Sequence, residues 1–419
     1  MTEQEKEFIR SHRNEDVREL LLKYKTVKGL NIRAVAVQIK GWQTAHKKLP
    51  TWAAVNGIRY PEHLSLEQCS SELTARYKGE VIERMVKQVI TDNMNDSSSL
   101  AANAGLEGQI RFTDLTGGFG VDATMIAKAL GNCHTTFVER SEELCQIASH
   151  NFPLLGVCPV DVVCADCQSM LNELTPQHVL FIDPARRDTH GRKTVAIEDC
   201  TPDICVLNRL LLEKGEVVMV KLSPMLDLSQ ASRTLTDIRE IHIVGVNGEC
   251  KEILMVLSSL PALNSPLTIH CVNITSEHTE IFAFSPGSEK MSEPQYAHQM
   301  GLYLYEPNSS ILKAGAFKSV GIEYGVEKLH RHSHLYTSSE KCKDFPGRIF
   351  EVVGIFPFNK TGIKLLRDRV GKANITVRNF PLSVDELRKR MSIKEGGEDY
   401  IFATTLWDVS RVLILCRKL

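Results

Sequence analysis

The chain has 419 residues, 43% hydrophobic and 24% charged, an ordinary globular composition with ample length for more than one core. Its first residues, MTEQEKEFIRSHRNEDVREL, carry charge where a secretion signal would carry an apolar run, and no apolar run reaches the roughly 20 residues that span a bilayer. A cytoplasmic protein with no membrane partner is expected. The net charge of −1 hides an asymmetry: residues 311–419 carry +8 and the remainder −9. A basic C-terminal third is the footprint of a polyanion-binding module, or more plainly a solvated basic surface.

The first hundred residues predict helices. Asp16–Tyr24 is leucine-rich at helical spacing, and AVAVQIKGWQTAHKK should end at Leu49-Pro50. SLEQ has the form of a capping box, so Ser65 should open a third helix that runs through ELTARYKGEVIERMVKQVI. The polar stretch NMNDSSSLAANAGLEGQ then reads as a domain boundary.

Five short apolar runs follow, RFTDLT, TTFVER, VDVVCAD, HVLFIDP and EVVMVKL, separated by helical segments. Strands alternating with helices predict a parallel sheet covered on both faces. Two more apolar runs flank Asn247-Gly248, the signature of a type I′ hairpin. A nicotinamide-binding fold would continue with another parallel crossover instead. Beyond residue 264 short strands prevail, and the basic segment from about 319 alternates strands with helices.

Twelve cysteines, dispersed from Cys69 to Cys416, are expected as reduced thiols. No metal is expected. Cys164-Ala-Asp-Cys167 lacks a second pair, and His330, His332 and His334, alternating as on one strand face, lack a carboxylate or thiol partner. A solvated basic strand face is the better reading of the histidines.

The chemistry gathers at the predicted strand tips. The first strand ends in DLTGGFGVD, Asp114 to Asp122, where glycines between strand and helix let a ligand approach backbone and helix N-terminus. Asp114 there would repel a pyrophosphate and favour a cation such as S-adenosylmethionine (SAM), which carries an ammonium and a sulfonium. Glu139 ends the second strand about 20 residues after the glycines, where such folds place an acid on ribose hydroxyls. Asp166 ends the third, within reach of an adenine amine, and Asp183-Pro184-Ala185-Arg186 ends the fourth. Any one of these has a plain structural reading; Asp114, for example, could simply cap a helix.

In this order the motifs resemble those of class I Rossmann-like SAM-dependent methyltransferases over roughly residues 100–260. SLEQCSSELTARYKG, LYEPNSSILKAGAF, FPGRIFEV and VRNFPLSVDELRKR resemble a bacterial subgroup that joins this domain to a ferredoxin-like segment and a C-terminal THUMP-like domain. The resemblance implies an N-terminal helical domain (1–100), a methyltransferase domain (101–262) whose seven-stranded sheet has an antiparallel last strand, a ferredoxin-like α+β segment (263–318) and a basic THUMP-like domain (319–419). It implies SAM bound by Asp114, Thr116, Gly117, Gly118, Gly120, Asp122, Glu139, Arg140, Asp166 and Cys167. It implies transfer at Asp183 and Pro184, with Ala185, Arg186, Arg187 and Lys221 contacting the acceptor. THUMP domains bind RNA, so tRNA or rRNA is the expected partner.

Methyltransferases acting on exocyclic amines carry Asp/Asn-Pro-Pro-aromatic at the fourth tip. Here Ala185 and Arg186 replace its second half, and a guanidinium can also stack on a base or pair with phosphate. Uracil-C5 enzymes need a cysteine after the fifth strand, where this chain has Lys221-Leu222-Ser223-Pro224. A serine is a poor substitute for a thiolate, so N-methylation is the expected chemistry. A small-molecule or protein acceptor, or a noncatalytic RNA-binding protein that keeps the pocket, are the alternatives.

Overall fold

The computed structural model describes residues 1–24, 27, 29–92, 109–185, 196–260, 263 and 265–419. They form two units, Met1–Glu240 with Ile253–Pro266, and Ile241–Glu252 with Leu267–Leu419.

The first unit opens with helices α1 Glu3–His12, α2 Val17–Lys23, α3 Ile32–Lys48, α4 Pro50–Ala54, α5 His63–Gln68 and α6 Glu72–Asp92. Asp16 caps α2 by accepting from the N–H groups of Arg18 and Glu19. Helix α3 stops before Pro50, which becomes the first residue of α4, where its missing N–H costs nothing. Ser65 does not open a long helix as expected. It lies inside the short α5, and the chain breaks at Cys69–Ser71 before α6. Ser71 starts α6 by accepting from the Thr74 N–H at 3.2 Å.

Next come β1 Ile110–Asp114, α7 Val121–Leu130, β2 Cys133–Glu139, α8 Glu142–Leu154, β3 Val160–Cys164, α9 Cys167–Glu173, β4 Gln177–Ile182, α10 Ile204–Lys214, β5 Gly215–Leu222, α11 Leu228–Thr234, β6 Ile238–Val246 and β7 Glu249–Leu257. These seven strands stand in the order β3-β2-β1-β4-β5-β7-β6 within a sheet of nine. Strands β1 to β5 are parallel, and β7 runs antiparallel to β5, as the sequence predicts. The central β4 is buried at every residue, whereas edge strand β3 is half-exposed. Asn247 and Gly248 both take positive φ, 51° and 79°, in a two-residue turn between β6 and β7. The division between the units passes through this hairpin.

The opening helices share a core with the sheet's own helices. Trp52, Tyr60 and Leu66 pack in one cluster with Phe119, Ile147 and Leu155. Helix α6 lies against α7 so closely that a Cβ on Gly79 would come within 2.8 Å of the Met125 carbonyl oxygen.

In the second unit β6 is followed by β8 Thr268–Ile274 and β9 Thr279–Phe284, then α12 Pro286–Met291. A separate seven-stranded sheet contains β10 Tyr303–Pro307, β11 Glu327–Lys328, β12 Tyr336–Ser338, β13 Gly347–Pro357, β14 Lys372–Arg378, β15 Lys394–Thr405 and β16 Arg411–Lys418, in the order β11-β12-β10-β13-β16-β15-β14. Helices α13 Ser309–Ala314, α14 Ser319–Glu323, α15 Lys360–Arg369 and α16 Val384–Met391 accompany it. Leu366 of α15 and Leu387 and Met391 of α16 are fully buried against Ile401 and Leu413 of the sheet. Glu306, buried in β10, is neutralised by Arg348 and Arg378. The three histidines do not lie on a strand. Residues 331–333 form a turn, His334 takes φ 51°, and its ring stacks on Phe317 at 3.5 Å. Burial pushes the His334 imidazole down to about 4, so it is neutral at physiological pH. No helix among the described residues is long and apolar enough to cross a membrane. All twelve cysteines are free thiols.

Candidate active site

The parallel sheet brings the tips of its strands to one edge, where open α/β sheets bind ligands. Asp114 ends β1 and is 1% exposed; one carboxylate oxygen accepts from the Thr116 N–H at 3.0 Å. The Thr116 hydroxyl in turn accepts from the Asp183 N–H at 2.6 Å, tying the β1 turn to the β4 tip. Gly117 sits against Phe137, and a Cβ there would meet the ring at 2.2 Å. Gly118 and Gly120 take positive φ, 57° and 86°, which a side chain would resist. The Gly118 N–H donates to Glu139 at 2.9 Å, and the Ser141 N–H donates to the other oxygen of that carboxylate at 2.8 Å. The glycine turn and the β2 tip are thus fastened through one acid.

Asp166 behaves as a helix cap, accepting from Gln168 and Ser169 at the start of α9. Cys167, next to it, is buried, and burial with the nearby Asp166 and Asp114 pushes its thiol up to about 12. That thiol is inert at neutral pH. Arg140 is exposed beside Glu139. Pro184 is buried, and Ala185 exchanges backbone hydrogen bonds with Thr201 at 2.7 and 2.9 Å. Arg186 and Arg187 lie outside the described residues. Ser223 accepts from the Met225 N–H at 3.1 Å.

Charge dominates this edge. Burial raises the Asp114 carboxyl well above the ordinary carboxylate range, and Asp122, Asp183 and Glu139 around it add to the effect. Asp122, in the first turn of α7, behaves oppositely. Burial works to raise it, but Lys78, then Lys221 and the Ser70 hydroxyl bring it below the ordinary range. Lys78 of α6 is fully buried and lies 3.1 Å from one Asp122 oxygen. Ser70 donates to the other oxygen at 2.7 Å and receives a hydrogen bond from Lys78 at 3.1 Å. Lys221, at the end of β5, lies 3.8 Å from Asp122 and pairs directly with the Asp183 carboxylate.

The edge therefore gathers Asp114, Thr116, Gly117, Gly118, Gly120, Asp122, Glu139, Asp183 and Lys221 from the sequence-based set. Lys221, expected to contact the acceptor, pairs with Asp183. Ser70 and Lys78 were not foreseen. Their only signal is the quoted SSELTARYKG segment, because nothing in local periodicity announces a partner on another helix.

The strand order, the antiparallel β7 and the glycine turn after β1 define a class I Rossmann-like methyltransferase fold. A solved structure of a candidate methyltransferase from Porphyromonas gingivalis W83 is 33% identical with a TM-score of 0.83, covering 99% of this chain and 97% of that one. A ferredoxin-like domain model matches residues 303–346 and a THUMP-like domain model residues 347–418. The chain belongs to the bacterial methyltransferase family that carries a ferredoxin-like and a C-terminal THUMP-like domain. Two further solved structures are similar over part of the chain. They are yhhF from Escherichia coli (18% identity, TM-score 0.27, covering 36% of this chain and 78% of that one) and TrmN from Thermus thermophilus (14%, 0.27, 42% and 53%). No curated protein matches the chain.

Proposed function

We propose that the protein is a cytoplasmic SAM-dependent RNA methyltransferase that acts on a base nitrogen in tRNA or rRNA. The observation that carries this reading is the buried Asp114, raised by burial and by three neighbouring carboxyls, beside a glycine turn. A site with this much carboxyl density suits a ligand that brings positive charge, and SAM brings an ammonium next to a sulfonium. Asp114, Thr116, the three glycines, Asp122, Glu139, Arg140, Asp166 and Cys167 would hold it. When bound, SAM supplies an electrophilic methyl group.

The chain's own contribution is alignment. Asp183, anchored through its N–H to Thr116 and through its carboxylate to Lys221, accepts a hydrogen bond from the acceptor amine and turns the nitrogen lone pair toward the donor. Pro184 stiffens the turn, and Ala185, Arg186 and Arg187 meet the base or its phosphates. Ser223 is a turn-forming hydroxyl with no thiolate chemistry, in keeping with N-methylation rather than uracil-C5 methylation. The THUMP-like domain and the excess of +8 over residues 311–419 support RNA as the partner.

The test is transfer of radiolabelled methyl from SAM into small-RNA and ribosomal-RNA fractions. Asp183→Ala should lower kcat by at least ~100-fold, on the scale of lost alignment, with SAM affinity within about 3-fold by calorimetry. Loss of SAM binding in that variant would refute the role given to Asp183. SAM binding without label in any RNA would instead point to a small-molecule or protein acceptor.

A further inference from the structure

Four charged groups stand in a row at the edge of the first unit, Lys78, Asp122, Lys221 and Asp183, drawn from α6, α7, β5 and the β4 tip. We propose that Lys78, Ser70 and Asp122 are positioning residues that set Lys221, and through it the Asp183 carboxylate, so that the opening helices complete the active site. The proposal rests on the methyl-transfer reading of Asp183.

A lysine ammonium rides on a flexible four-carbon stem and does not fix a partner by itself. Lys221 is held from both sides, by Asp183 and by Asp122. Asp122 would fix nothing if it could turn, but one of its oxygens accepts a hydrogen bond from Ser70 and the other lies in ion-pair contact with Lys78. Lys78 also donates to Ser70, which closes a three-membered ring of contacts behind Asp122. Ser70 is free for this duty because Ser71, not Ser70, caps α6.

Stability does not call for this arrangement. Taking a lysine wholly out of water costs several kcal/mol, and a well-packed apolar side chain is often as good or better for the fold. A buried pair kept at that cost is explained by what it aims. The helix contact supplies a second, independent restraint. Gly79 lets α6 approach the α7 backbone to the limit of contact, so the residue before it has little freedom to move away from Asp122. Asp114, at the β1 tip, faces Asp122 and Asp183 of the row. Lys48 of α3, near Lys221 and Cys69, spends its hydrogen bonds on the Leu66 and Glu67 carbonyls.

The experiment compares Lys78→Met, Lys78→Arg and Lys221→Gln in the full-length protein, after transfer by the unaltered protein has been recorded. Expected for Lys78→Met is a kcat lower by roughly 10- to 100-fold, the scale of a misplaced reacting group, with KM for RNA and Kd for SAM within about 3-fold. Lys78→Arg should recover part of the kcat, because the charge beside Asp122 returns. A purely structural role would move melting temperature and both affinities together and leave kcat per folded molecule unchanged. Lys221→Gln keeps the α6–α7 contact, so it decides the matter if Lys78→Met fails to fold. A folded Lys78→Met or Lys221→Gln with unaltered kcat overturns the inference and leaves the methyltransferase reading intact. Absence of transfer by the unaltered protein overturns both.

Discussion

Asp114 is the residue at which burial and chemistry pull in opposite directions. In the folded chain its carboxyl is raised by burial and by three carboxyl neighbours. The native state therefore keeps a proton that the unfolded chain has released, and stability falls as pH rises through the folded value. Asp114→Asn keeps an oxygen for the Thr116 N–H and removes the titration. It should raise the melting temperature at pH 7–8, by about 2–4 °C for each kcal/mol relieved, and the gain should vanish below about pH 4, where both states are protonated. Scanning calorimetry against pH reads this directly. If a cation is what the site awaits, the same variant should bind SAM at least ~10-fold more weakly, consistent with loss of a charge-assisted contact. A more stable variant with undiminished SAM affinity would detach Asp114 from the cofactor. The acids were legible in the sequence because each ends an apolar run, and parallel strands send all their ends to one edge. Lys78 was not legible, because a lysine in a helical segment looks solvated until the helix that covers it is known.

At the scale of elements, the five strand–helix alternations were readable because strands covered on both faces leave unbroken apolar runs, and β4 is the clearest example. The Asn247-Gly248 turn was readable because both positions require positive φ. Two patterns misled. S-x-x-Q at Ser65 imitates a capping box inside a helix that begins at His63. The alternating histidines imitate strand period, but the left-handed backbone at His334 takes them round a turn. The helix start can be checked. Ser71→Ala removes the acceptor for the Thr74 N–H and should cost about 1 kcal/mol, whereas Ser65→Ala should stay within roughly 0.5 kcal/mol. Urea unfolding of the two variants reads the difference, and equal losses would contradict this assignment of the cap.

For the whole molecule, the contrast between −9 and +8 along one chain means that net charge says little about its partner. RNA binding by the basic part should be strongly salt-dependent, because each phosphate contact releases counterions. Lys389 and Arg390 lie exposed in the last turn of α16. Reversing both to Glu should weaken RNA binding about equally across sequences, by roughly 10-fold or more at physiological salt, and reduce the salt slope by about 2. Fluorescence anisotropy over a salt series measures both quantities; an unchanged slope would move the RNA contact elsewhere.

The burial of Lys78 also bears on how the chain is made. Lys78 is synthesised before Asp122. Closing α6 over an unpaired ammonium is strongly unfavourable, so its final seat exists only after β1 and the first turn of α7 have appeared. The carboxylate that seats α6 is delivered by a later stretch of the same chain, and the sheet that brings it sets the moment at which that helix can lock.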